Sequence, residues 1–89
     1  MRVFVTPATS RDYEMVTAAL RRAGHTAAGR CRTGGFLQDV ERDTRTLLES
    51  DFLVALPGWR DCPESTTDVL TADGAGIPWG SLDQALATR

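Results

Sequence analysis

Asp43 is the residue whose placement most invites chemistry. Phe36, Val40, Asp43 and Leu47 fall at i, i+4, i+7 and i+11, one continuous helical stripe with three apolar members and one carboxylate. A charge set into a buried stripe must be paired, hydrogen-bonded or turned toward a cavity. Two roles meet that demand: a structural salt bridge, with Arg2 or Arg60 as partner, or a group facing a ligand. Asp68 is the second carboxylate. It lies about two turns into a later helix and shares a face with Thr71, Ala72 and Ala75. Those small neighbours leave room for a ligand or for tight helix–sheet packing. A solvated helix position is the plainer alternative.

Other candidates are weaker. Trp59 directly follows Pro57-Gly58, where an indole can stack on a base, line a subunit interface or cap the core. Arg30 and Arg32 flank the Thr33-Gly34-Gly35 turn, so guanidinium forks and exposed amides could hold a phosphate; a solvated loop explains the same residues. Neither a P-loop nor a GxGxxG pattern is present. The one histidine, His25, follows a helix end and reads as structural. Cys31 and Cys62 are far apart and in no metal-type spacing, which argues against structural zinc and for two free thiols.

These residues need elements to position them. Arg2 to Thr6 is a short apolar, β-branched run closed by Pro7, a buried first strand. Asp12 to Ala23 has helical spacing, with Thr9 and Ser10 as N-cap candidates and Gly24 as the left-handed residue after its end. Thr26 to Arg30 is a weak second strand, and a second helix spans about Phe36 to Ser50. Phe52 to Pro57 is the clearest buried strand. Asp61-Cys62-Pro63-Glu64 then spells a helix start, with Asp61 as N-cap, and the third helix runs to about Ala75 before Gly76. Ile77-Pro78-Trp79 is an edge strand, and Ser81 caps a last helix from Leu82 to Thr88. Strict β-α alternation predicts a small α/β fold: a four-stranded parallel sheet with helices on both faces, and ligands beyond the carboxyl ends of the strands.

Composition narrows the partners. At 89 residues the chain fits one domain, 1–89, with a small core that self-association would help to cover. A formal charge of −2 argues against a nucleic-acid polymer. All ten basic residues are Arg. No run approaches membrane-spanning length, and the expected location is the cytoplasm.

The block Asp43-Thr44-Arg45-Thr46-Leu47-Leu48-Glu49-Ser50-Asp51, the strand Phe52 to Leu56 and the following Pro57-Gly58-Trp59 together resemble small phage and bacterial proteins related to nucleoside 2-deoxyribosyltransferases. Leu20-Arg21-Arg22-Ala23-Gly24-His25 and Gly76-Ile77-Pro78 fit as well. The resemblance implies a flavodoxin-like (Rossmann-like) sheet and a homo-oligomer in which a neighbour completes the site. It also implies a carboxylate nucleophile on the helix after the third strand, assisted by an aspartate on the preceding helix. Those positions are matched by Asp68 and Asp43. The family's usual Ser-x-Gly-Ala turn and glutamate are replaced by Cys62 to Asp68, and the first loop lacks the usual glycine.

Two functions follow as expectations. The first is deoxyribosyl transfer or N-glycosidase action on a nucleoside or nucleotide. In it Asp68 is the nucleophile, Asp43 assists, Thr6, Gly58 and Trp59 bind substrate, and Arg30 or Arg32 meets any phosphate. No metal or cofactor is implied. The second keeps the fold as a non-catalytic nucleotide-binding or protein-interaction module.

Overall fold

Val3, Phe4 and Val5 are almost wholly buried, and they form the centre of β1 (Arg2–Val5). The computed structural model describes residues 1–6, 10–29 and 44–87. After β1 come α1 (Ser10–Arg22), β2 (Thr26–Gly29), α2 (helical over 44–48), β3 (Phe52–Val54), a 3-10 turn (Trp59–Asp61), α3 (Pro63–Gly74), β4 (Trp79–Gly80) and α4 (Leu82–Ala87). Gly24 and Gly76 adopt the positive φ expected of residues that follow helix ends.

The strands form one parallel sheet in the order β2-β1-β3-β4. From β1 the chain steps first to one side and later to the other, which is the flavodoxin-like order with its switch point between β1 and β3. The reversal puts helices on both faces. On one face Val16 and Leu20 of α1 and Ala85 of α4 pack against Val3, Val5, Phe52 and Val54. On the other, Leu47 of α2 and Val69 and Ala72 of α3 pack against Phe4 and Leu53. Successive residues of β1 and β3 thus feed opposite cores, as strand alternation requires.

Several boundaries move. β3 ends at Val54 rather than at Pro57. β4 is Trp79–Gly80, with Pro78 just before it, because Leu53 N–H bonds to the Pro78 carbonyl and Ala55 N–H to the Gly80 carbonyl. The N-cap of α3 is Cys62, not Asp61. Asp61 belongs to the 3-10 turn, where its N–H donates to the Gly58 carbonyl at 3.0 Å, and Pro63 then takes the first helical position. The Ser81 cap on α4 is realised as a reciprocal box: Gln84 N–H donates to Ser81 Oγ at 3.2 Å, and Ser81 N–H donates to Gln84 Oε1 at 2.8 Å. No described helix is long and apolar enough to cross a membrane.

Candidate functional site

The carboxyl edge of the sheet is built around Thr6, at the switch point. Its N–H donates to the Val54 carbonyl at 3.1 Å, and its hydroxyl accepts from Leu56 N–H at 3.1 Å. The side chain thereby carries the β1–β3 ladder one step past both strands and sets where the chain leaves β3. Thr6 is fully buried. In this arrangement it shapes the site from beneath.

Beyond Leu56 the chain turns sharply. Gly58 takes φ +85°, a left-handed conformation that side-chain-bearing residues rarely adopt. Trp59 N–H reaches back to the Leu56 carbonyl at 3.1 Å, and Thr66 Oγ1 donates to the Trp59 carbonyl at 3.0 Å. The turn is thus tied to the first turns of α3. The Trp59 ring is half-buried against the core cluster of Phe4 and Leu53. Trp79 meets it in an edge-on arrangement, with centroids 5.4 Å apart and planes at 75°. Arg60 places its guanidinium carbon 5.2 Å from the Trp59 centroid, a cation–π contact. Trp79 is held on its far side by Asp73, whose Oδ1 accepts from the indole Nε1 at 3.4 Å.

These residues line an open groove of about 850 Å³ between the exits of β3 and β4 and the start of α4. Ala55, Leu56, Pro57 and Leu82 give it apolar walls, and Asp61, Asp83 and Gln84 add polar groups. Gly58 and Trp59, both expected at a ligand site, lie in this groove.

Asp68 sits apart from this groove, in the middle of α3. It is 3% exposed, on the α3 face shared with Ser65, Val69 and Ala72. The solvated alternative is therefore excluded; of the neighbours expected on its face, Ala72 is buried with it, Thr71 is partly buried and Ala75 is exposed. Asp68 has an interaction partner, and it is not among the groove-lining residues. Asp43, Arg30 and Arg32 lie outside the described residues, as does Cys31. Of the two cations suggested as partners for Asp43, Arg60 has a described guanidinium contact and Arg2 a described backbone one. Arg2 donates its backbone N–H to Asp51 Oδ2 at 2.8 Å, and Arg60 faces Trp59. His25 packs by the chain start, its Nδ1 3.4 Å from the Met1 amino group.

Cys62 is a feature that spacing missed. The free thiol stands at the start of α3 and is held below the ordinary cysteine range. The Ser65 hydroxyl is the main cause, followed by the Ser65 amide; the Glu64 amide adds to it, against opposing effects of burial and the Glu64 charge. A cysteine directly before Pro at a helix start was the available signal. Trp79 was missed because Ile77-Pro78-Trp79 reads as an edge strand with no ligand role.

Fold and groove together define a small doubly wound α/β protein with an aromatic groove beside its switch point. No protein-family model, no curated protein and no solved structure matches the chain.

Proposed function

We propose that the protein recognises a nucleoside or nucleotide at the carboxyl edge of its sheet and cleaves or exchanges its N-glycosidic bond, with Asp68 as the carboxylate nucleophile. The observation that carries the reading is the burial of Asp68, 3% exposed on the helix that follows the third strand. A carboxylate so placed is desolvated, which favours attack on a sugar carbon once an oxocarbenium-like charge develops. Retaining transfer needs a second carboxylate roughly 5 Å away, the role proposed for Asp43. Trp59, Gly58 and Thr6 would shape the place of the base, and a homo-oligomer would complete the site.

The test is base release from a panel of deoxynucleosides and their 5′-monophosphates at high protein concentration, followed by chromatography. Release by the parent chain and its loss, by about 100-fold or more, in Asp68→Asn support the proposal. Equal rates for the two proteins, or no release from any substrate, overturn it. A melting curve of Asp68→Asn checks that the fold survives.

A second reading has its own support. Asp68 is already partnered and lies off the groove lined by Trp59. That separation suits a module that binds a small aromatic ligand in the groove without cleaving it.

A further inference from the structure

We infer that the groove between Trp59, Trp79 and α4 takes an aromatic ring that carries positive charge or exocyclic amino groups, in preference to a ring that presents only carbonyls. The inference rests on the nucleoside reading for its ligand class and deepens it by stating which bases the groove admits.

Three observations carry it. The groove is walled by apolar surface from Ala55, Leu56, Pro57 and Leu82, so a flat ring of nucleobase size finds contact on entry. Its two indoles stand nearly perpendicular, at 75°, and form a corner that offers π surface. One of those surfaces already attracts a cation, since the Arg60 guanidinium lies over Trp59. The third observation is charge. Asp61 and Asp83 both line the groove, one in the 3-10 turn and one in the first turn of α4. Among the described residues neither carboxylate has a side-chain hydrogen bond or an ion pair. Arg60 is the one cation among the described lining residues, so Arg60, Asp61 and Asp83 together sum to −1.

Chemistry then selects the ligand. An ionised carboxylate only accepts hydrogen bonds, so the ring edge facing it must donate. Three donors beside α4 are committed: Ser81 N–H goes to Gln84 Oε1, Gln84 N–H goes to Ser81 Oγ, and Trp79 Nε1 goes to Asp73, so the Arg60 guanidinium is the charged donor set against two carboxylates. A cationic ring gains from both the indoles and the carboxylates. An amino-bearing neutral ring gains from the carboxylates, and a dicarbonyl ring meets two carboxylates it cannot bond and one charged donor, Arg60.

Calorimetry on the intact chain tests this with 7-methylguanosine, deoxyadenosine, deoxycytidine and thymidine. The first carries a charged ring, the next two an amino group, and thymidine neither. Expected affinities fall in that order, with about tenfold between 7-methylguanosine and thymidine. Raising the salt concentration should shrink the gap, because both carboxylates are exposed. The double variant Asp61→Asn, Asp83→Asn should bring the ratio to within about twofold, chiefly by weakening 7-methylguanosine. Thymidine binding as tightly as the cationic ring overturns the inference and leaves nucleoside recognition standing. A preference that survives the double variant also overturns it. The predicted preference without base release upholds the inference and removes the catalytic reading. No heat with any of the four overturns the groove as a nucleoside site.

Discussion

Gly29 ends β2 directly under the ring of Tyr13, and a Cβ there would clash with Tyr13 Cε2. Overpacking of this kind costs about 1–3 kcal/mol, so Gly29→Ala should lose that much stability, read as a lower urea midpoint at unchanged slope. Pairing it with Tyr13→Ala should recover part of the loss; strict additivity would show that the two side chains do not compete. Gly58 is the contrasting case. A Cβ there meets nothing within 4 Å, so the cost of Gly58→Ala is the left-handed backbone alone, about 1–2 kcal/mol. Cys62 gives a pH-dependent prediction. Its thiol is held low chiefly by the Ser65 hydroxyl, so alkylation by iodoacetamide should reach half its limiting rate at a lower pH than for a free cysteine. Ser65→Ala should move that midpoint upward, and an unmoved midpoint would refute the assignment. A thiol whose folded value is depressed also contributes stability that is fully present above its unfolded value and is lost as pH falls through the folded one. The carboxylates show what residue types reveal by themselves. Asp68 was legible as a candidate, but its burial was not. Spacing grouped it with Thr71, Ala72 and Ala75; the sheet buries Ala72 together with Ser65 and Val69 and leaves Ala75 exposed. A helix with few large apolar residues gives periodicity little to act on.

At the scale of elements, β1, α1 and β3 were legible because their signals are redundant. β1 and β3 are continuous apolar runs, and α1 combines its periodicity with a glycine after its end. The start of α3 was misplaced by one residue for a physical reason. Asp61 has the side chain of a cap, but the turn that begins at Gly58 takes up its N–H and leaves Cys62, with φ −111° and ψ 113°, in the extended cap position. α4 depends on its cap more than longer helices do. It has six residues, too few for an isolated helix to persist, and one buried side chain, Ala85. The Ser81–Gln84 box therefore does much of the work of starting it. Ser81→Ala should cost about 1 kcal/mol in overall stability. It should also speed amide exchange in α4 well before exchange in β1, since α4 flanks the groove and closes one face of the sheet. Equal protection in parent and variant would mean that packing of Ala85 and Leu82 alone holds the helix.

Across the whole molecule, the strand order was the feature least accessible to local patterns. Alternation of strands and helices predicts a parallel sheet, but it does not say that β3 lies beside β1, because that neighbour is chosen by long-range burial. The consequence is mechanical. β3 sends Phe52 and Val54 into the core under α1 and α4, and Leu53 into the core under α2 and α3. One strand of three residues is thus shared by both cores, and β1 is shared in the same way through Val3, Phe4 and Val5. Neither face can loosen without withdrawing a central strand from the other. The chain should therefore unfold in a single cooperative step, as small single domains usually do. Leu20→Ala empties one core and Leu53→Ala the other; each side chain is fully buried, so each variant should lose about 2–5 kcal/mol. Trp59 and Trp79 report from one corner of the molecule, while far-ultraviolet dichroism reports on all the helices. In both variants the two signals should move to the same lower urea midpoint. A Leu20→Ala protein whose dichroism falls before its tryptophan emission would show that the α1–α4 face melts by itself, and that the shared strands do not couple the two cores.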